Sequence, residues 1–276
     1  MRPNLQTLKL HQREQVLWVS IDNPPINLLT AQMLLDLDRL GRYLESQDMI
    51  SVVVFHSEIS CFFIAHADLN MFKPEPDVPL PNVNVHQVFG RFEILPQVCI
   101  GLVNGRAFGG GLEFLLSLDF CFASEQSAKF GFIEAALGTI PGAGGTQRLP
   151  RICGKARALE LLMSCEEINS DLAMQYGLIN RHFPEETFNE MTQQIIHRIG
   201  KFPSSSIRAI KKAVSSTAPS LDRGLAIEAN EQTECITSLK SSHSRVSQFL
   251  VNEGQSPETQ VRGLNDLLIK IQTESP

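Results

Sequence analysis

No segment of this 276-residue chain approaches the ~20 apolar residues that a bilayer-crossing helix needs. The opening MRPNLQTLKL also lacks the long apolar segment of a secretory signal. These absences predict a cytosolic protein without a membrane partner. Positive charge is also short, with 24 Lys and Arg against 30 Asp and Glu, a net charge of −6 and a pI near 5.7. Such a balance gives no electrostatic footprint for nucleic acid or an anionic membrane, and an anionic ligand would depend on local basic residues. The six cysteines (Cys61, Cys99, Cys121, Cys153, Cys165 and Cys235) form no CxxC pair and no metal-ligand spacing. Most sit in apolar contexts, which predicts small packed thiols rather than disulfides or a zinc site. No internal repeat of fixed period appears, and no GxxxxGK[ST] spacing accompanies the glycine-rich stretches, which argues against nucleotide hydrolysis.

What is present is an ordinary globular composition, 43% hydrophobic and 20% charged, long enough for one large domain or two modest ones. The opening "LQTLKLHQREQVLWVSID" reads as a hairpin, Leu8 and Leu10 alternating before a polar turn and Val16, Trp18 and Ser20 after it. Met33, Leu37, Leu40 and Leu44 fall at helical spacing between Ala31 and Gln47, and "SVVVFH" follows as a short buried strand. Strand, helix, strand is an α/β signal. Residues 73–82 hold four prolines within eight positions and predict an exposed loop, with helix from there to about Ile94. "VCIGLVNG" and "DFCFAS" read as strands, and from Thr146 onward the pattern is largely helical, including the run 204–250. There Ile207, Ile210 and Val214 form an apolar stripe facing either the core or a neighbouring subunit, while Arg208, Lys211 and Lys212 stay polar. A soft boundary near 200 separates residues 1–200 from a helical region over 201–276.

"RAFGGGLEFLLSLDF" (106–120) poses a chemical question. After three glycines the apolar residues fall on every face of the expected helix, as in a buried helix, yet Glu113 stands among them. An unpaired buried carboxylate costs several kcal/mol or takes up a proton, so this one calls for a reason. The glycines supply a second clue. At a helix start the Gly110 N–H has no intrahelical partner and is aided by the helix dipole, so it can donate to a developing anion.

Four stretches in order and spacing, "NPPINLLT" (23–30), "FFIAHADL" (62–69), "VNGRAFGGGLE" (103–113) and "FGFIEAALGTIPGAGGTQRLP" (130–150), resemble the crotonase (enoyl-CoA hydratase/isomerase) superfamily. The resemblance covers most of residues 15–215 and thins toward the C-terminus. It implies an α/β fold, a crotonase-like spiral of ββα units whose C-terminal helices assemble trimers or dimers of trimers. It also implies an oxyanion hole formed by the N–H groups of Gly110 and Ala67, the latter within a substrate-binding stretch of Ala65, His66, Asp68 and Leu69. Glu113 and Glu134 match the family's two catalytic carboxylates. Gly142 matches the position whose amide orients water.

Adding water across the double bond of a 2-enoyl thioester needs a base for water and an acid for C2, so two carboxyl groups facing one water suffice. The implied activity is hydration of a 2-enoyl-CoA to the 3-hydroxyacyl-CoA, with no metal and no cofactor beyond the coenzyme A of the substrate. One alternative is Δ3-Δ2 enoyl-CoA isomerisation, in which a single carboxylate can shuttle one proton. Another is a non-catalytic acyl-CoA- or RNA-binding protein on the same fold, against which the acidic composition and the intact set Ala67, Gly110, Glu113 and Glu134 both argue. Two departures stand out. His66 occupies a position where the family usually has glycine, either as a packing variant or as an imidazole near the thioester or the adenine pocket. Ile133 replaces a proline that often precedes the second glutamate. Lys73 and Arg91 are either coenzyme A phosphate contacts or solvated surface residues.

Overall fold

The computed structural model describes residues 2–72 and 83–215, a few positions between 227 and 252, and residues 264–273. The proline-rich stretch 73–82 with its Lys73, and most of the helical run read beyond 215, lie outside the described residues. The chain divides into two compact units, Met1–Ile195 and Ile196–Pro276.

In the first unit β1 (Leu8–Arg13) and β2 (Val16–Ile21) pair antiparallel as the expected hairpin. Helix α1 (Ala31–Leu44) starts where the Thr30 hydroxyl accepts from the Met33 amide at 3.2 Å, satisfying one of the unpaired first-turn donors. A two-strand, one-helix unit then occurs three times. β3 (Val52–Ser57) and β4 (Cys61–Ile64) precede α2 (Val85–Ile94), β5 (Val98–Val103) and β6 (Gly105–Phe108) precede α3 (Gly110–Leu115), and β7 (Phe120–Ser124) and β8 (Lys129–Gly131) precede α4 (Gly145–Cys153). In each unit the first strand joins one sheet and the second joins another. The larger sheet runs β1-β2-β3-β5-β7-β10, parallel from β2 onward, with β10 at Arg181–Phe183. The smaller runs β4-β6-β8-β9, with β9 (Ile168–Asn169) antiparallel to β8. Helices α5 (Lys155–Ser164), α6 (Ser170–Gln175) and α7 (Glu185–Gly200) follow the third unit.

The single strand read over "VCIGLVNG" is therefore two, because Asn104 carries the chain from one sheet to the other. Position 105 has no room for a side chain: a β-carbon there would run into the backbone of Cys61 and Phe62 on the neighbouring strand β4. The core is aromatic at its centre. Phe114 meets Phe55 and Phe92 edge-to-face, with ring centroids 5.1 and 5.5 Å apart, and Phe89 at 5.2 Å, all four rings being fully buried. This cluster clamps α3 between β3 and α2, and it fixes the residue before Phe114, which is Glu113.

In the second unit the described helices are α8 (Ser204–Ser215) and α9 (Leu264–Thr273). Ile210 and Val214 of the apolar stripe are 62% and 80% exposed, whereas Lys211 is buried, so these positions do not follow the polar and apolar faces expected for α8. Among the described residues no helix is long and apolar enough to cross a membrane, and no group of three or more His, Cys, Asp or Glu is placed to hold a metal ion.

Candidate functional site

The segment between β2 and α1 is anchored by Asn27, fully buried and left-handed at φ 51°, a conformation asparagine tolerates better than most residues. Its Oδ1 accepts from the Asn23 amide at 2.7 Å, while Nδ2 donates to Ser57 Oγ at 2.8 Å and to the Phe63 carbonyl at 3.0 Å. The loop is thus tied to the ends of β3 and β4. This places Leu29 beside Ala67 as an isolated parallel bridge: the Leu29 amide donates to the His66 carbonyl at 2.9 Å and the Asp68 amide to the Leu29 carbonyl at 3.1 Å. Successive N–H groups of an extended segment point to opposite sides, so the Ala67 N–H is turned away from Leu29. Its peptide is polarised by the bond that the His66 carbonyl accepts, which strengthens it as a donor.

Gly110 opens α3 on that side. A β-carbon on it would stand 2.8 Å from Leu29 Cδ2 and 3.7 Å from the Ala67 nitrogen. The two N–H groups expected to form an anion-binding pair are therefore neighbours in space, although 43 residues apart by their numbers, 110 minus 67. Of the other residues in that stretch, Ala65 is buried and its amide reaches the Ile26 carbonyl at 3.3 Å. Asp68 Oδ1 accepts from the Asn70 amide at 3.0 Å and Leu69 is 44% exposed at the start of a 3-10 turn.

Glu113 is 2% exposed, and the structure answers why the chain tolerates it. Its Oε1 accepts from the amides of Ala143 and Gly145, both at 2.7 Å. Burial pushes this carboxyl above the usual range, the Gly145 and Ala143 amides pull it back, and the charge of Glu134 pushes it up again while Arg148 lowers it. Arg148 also builds the loop that supplies the amides. Its Nη1 donates to the Ala143 carbonyl at 2.9 Å and its Nε pairs with Glu93 of α2. Gly144, at φ 113°, leaves room for that guanidinium, which a β-carbon would strike. Gly142, the position expected to orient water, is exposed on this loop.

Glu134 opens a 3-10 turn in which the Leu137 and Thr139 amides both donate to its carbonyl at 3.0 Å. Its Oε2 accepts from the Ile133 amide at 2.9 Å. Burial raises this carboxyl too, opposed by its own and the Ile133 amides and by His66. Gly109 lies next to both residues. Its carbonyl accepts from the Glu113 amide at 2.9 Å, and a β-carbon on it would clash with Glu134 Oε1. Gly109 has φ 48° and ψ −124°, a backbone shape that only glycine adopts readily. His66 Nδ1 lies 2.8 Å from the Ala67 carbonyl. A carbonyl only accepts, so that nitrogen carries the proton.

Arg91, read as a phosphate contact or a solvated residue, is mostly covered: it pairs with Asp38 of α1 and with Glu45, the residue that caps α1, and packs where a side chain on Gly41 would stand. Four residues of the site were not legible as such. Gly109, Ala143, Gly145 and Arg148 act through backbone or through contacts across 30 or more residues, as the Ala143 and Gly145 bonds to Glu113 show; only the glycine-rich composition of the two turns hinted at them.

The described arrangement places the Ala67 and Gly110 backbones close together, beside the buried Glu113 carboxyl and the half-buried Glu134 carboxyl, whose charge acts on Glu113. Residues 11–251 match the family model described as enoyl-CoA hydratase/isomerase. The chain is 32% identical over 248 residues to a 2,3-dehydroadipyl-CoA hydratase of Escherichia coli, covering 89% of this chain and 96% of that one. It is 33% identical over 227 residues to a probable enoyl-CoA hydratase of Bacillus subtilis, 80% and 86% being covered. The crystal structure of an enoyl-CoA hydratase from Bacillus anthracis superposes with a TM-score of 0.80 at 28% identity, over 90% of this chain and 97% of that one.

Proposed function

The chain belongs to the enoyl-CoA hydratase/isomerase family, and from that premise we propose that it hydrates a 2-enoyl-CoA to the 3-hydroxyacyl-CoA. The observation that carries this reading is that Glu113 and Glu134 both adjoin Gly109, near enough for the charge of Glu134 to act on Glu113, next to the neighbouring backbones of Ala67 and Gly110. An isomerase can work with one proton-carrying carboxylate, whereas water addition uses two.

In this mechanism the thioester oxygen lies between the Ala67 and Gly110 amides, whose dipoles stabilise the negative charge that gathers on it. Glu113 is the base: two amide donors on Oε1 partly offset the burial that raises its carboxyl, and a raised carboxyl takes up a proton from water more readily once ionised. It takes one proton from water as the water oxygen bonds to C3 and the π electrons move into the thioester enolate. Glu134, its carboxyl raised by burial, delivers a proton to C2 and the enolate collapses to the thioester. Both new bonds form on the face that the carboxyl groups share, so addition is syn. Glu113 ends protonated and Glu134 ionised, and exchange with solvent restores the starting state. Proton acceptor, proton donor and anion stabiliser all come from the chain, so the reaction as read needs no metal or further cofactor. On the same reading the enzyme works in the cytoplasm as a homotrimer or dimer of trimers, with Ile210 and Val214 of α8 available to a neighbouring copy.

The test is a screen of 2-enoyl-CoA and 3-enoyl-CoA thioesters followed by absorbance of the conjugated thioester. Loss of that absorbance with 2-enoyl substrates supports hydration. Its appearance from 3-enoyl substrates, with 2-enoyl substrates untouched, assigns the isomerase activity instead.

A further inference from the structure

Leu29 touches both residues read as donors to the thioester oxygen. Its backbone runs beside Ala67 as an isolated parallel bridge, and its Cδ2 stands 2.8 Å from the β-position of Gly110. We propose that Leu29 is the spacer of this pair, a positioning residue whose backbone holds the Ala67 strand, whose side chain backs Gly110, and whose size sets the gap that receives the thioester oxygen. This role rests on the reading of Ala67 and Gly110 as donors to that oxygen; it is the same whether hydration or isomerisation follows.

The backbone half is built from two bonds and two anchors. The Leu29 amide donates to the His66 carbonyl at 2.9 Å and the Leu29 carbonyl accepts from the Asp68 amide at 3.1 Å, so the strand is gripped on either side of Ala67. The first bond falls on the peptide that carries the Ala67 N–H and polarises it. Leu29 is itself fixed. Before it, the fully buried Asn27 bonds Asn23, Ser57 and Phe63, and after it Thr30 caps α1 through the Met33 amide. A spacer anchored at both ends cannot slide along the strand it grips.

The side-chain half follows from the geometry of extended backbone, in which the side chain stands roughly perpendicular to the plane of the hydrogen bonds. One residue can therefore bond a neighbour through its backbone and press on another through its side chain. Gly110 is that second neighbour. The point where its β-carbon would stand is 2.8 Å from Leu29 Cδ2, 3.6 Å from the Ala67 β-carbon and 3.7 Å from the Ala67 nitrogen. Leu29 is 2% exposed, so the methyl group that backs Gly110 is itself packed. Shortening it would open a void into which the start of α3 can move, and the two N–H groups would lose their common target.

The test uses a saturated acyl-CoA carrying 13C at the thioester carbonyl, which has no double bond to hydrate or isomerise. Its carbonyl stretch is followed by isotope-edited infrared spectroscopy, because hydrogen bonds from two aligned donors lower that frequency. In wild type the bound band is expected below that of the free ligand in buffer. In Leu29→Ala it is expected to move back toward the free value, with affinity changed by less than ~3-fold because the coenzyme supplies most of the contact area. In steady-state kinetics kcat should fall ~10–100-fold, the scale of a small misplacement of a reacting group, with KM nearly unchanged. Leu40→Ala removes a fully buried leucine further along α1 and is the control: it should cost stability and leave the band in place, which separates positioning from a general loss of packing. Leu29→Met, of similar volume, should keep the wild-type band. Should Leu29→Ala fail to fold, Leu29→Val, one carbon shorter than leucine, is expected to displace the band in the same direction by less. An unmoved band in the folded variant overturns the proposal. A wild-type band no lower than that of the free ligand overturns the reading of Ala67 and Gly110, and the role of Leu29 with it. A lowered band that Leu29→Ala displaces, in a protein that hydrates no 2-enoyl-CoA, sinks the hydratase reading alone and upholds the role of Leu29.

Discussion

Glu134 crowds Gly109: Oε1 of the glutamate lies within clashing distance of where a β-carbon on the glycine would stand. Gly109 also holds φ 48° and ψ −124°, which other residues reach only at a cost of ~1–3 kcal/mol. Gly109→Ala is therefore expected to lower stability by about that amount and to cut turnover by ~10-fold or more, since the displaced group is a flexible proton carrier. Gly154→Ala is the control. It also meets a positive φ, 81°, but no atom within 4 Å, so it should cost stability while turnover per folded molecule is kept. Melting curves and initial rates separate the two, and equal activity in both variants would contradict the placement of Glu134.

Burial raises the Glu113 carboxyl above its usual range, and the sign of the consequence follows. The folded state holds this proton more tightly than the unfolded chain does, so the associated stability is present below the unfolded value and lost as pH rises through the folded one. Glu113→Gln removes the burden of ionisation while its side-chain oxygen still accepts from Ala143 and Gly145. The variant should melt higher than wild type at neutral pH, an advantage that shrinks toward pH ~4 with a slope of at most ~1.4 kcal/mol per pH unit. Thermal melts across that range check it. A variant less stable than wild type at neutral pH would mean that the amide bonds outweigh burial.

Arg148 joins Glu93 to the Ala143 carbonyl, and the Ala143 amide holds Glu113. Arg148→Gln should loosen the loop 141–145 and reduce kcat by ~10–100-fold, the scale of a small misplacement of a reacting group. Glu93→Gln should give a weaker version of the same loss. Steady-state kinetics with a 2-enoyl-CoA decides, and wild-type kcat in Arg148→Gln would show that the amides are placed without it.

How much of this was legible in the sequence depends on the range of the interactions. Glu113 declared itself, because a carboxylate amid Phe108, Leu112, Phe114 and Leu115 has no cheap structural explanation. Glu134 lies in a mixed turn and was visible only through the resemblance. The partners that make Glu113 tolerable, Ala143 and Gly145, contribute backbone N–H groups that any residue but proline possesses, so their identity carried no signal. The hairpin and α1 follow local periodicity and fall close to the expected bounds. The division of strands between two sheets did not, because β6 and β8 are only four and three residues long and a short apolar run does not reveal its partner.

An acyl-CoA should raise the melting temperature and the corresponding free acid should do little, because the coenzyme supplies most of the contact area. Thermal shift at saturating ligand measures this. Equal effects from both compounds, or from neither, would count against a coenzyme A site beside Ala67 and Gly110.

The central claim is that Glu113 and Glu134 act as a unit on one water. The most direct measurement is kcat on a 2-enoyl-CoA for wild type, Glu113→Gln, Glu134→Gln and the double variant. Each single change keeps shape and removes proton exchange, so each should reduce kcat by ~100-fold or more. The double variant should fall far short of the product of the two losses, because groups that act together are not additive. Full activity in both single variants would remove the carboxylates from the chemistry. Poor hydration by wild type, with 3-enoyl isomerisation kept in Glu113→Gln and abolished in Glu134→Gln, would replace the hydratase by a single-carboxylate isomerase.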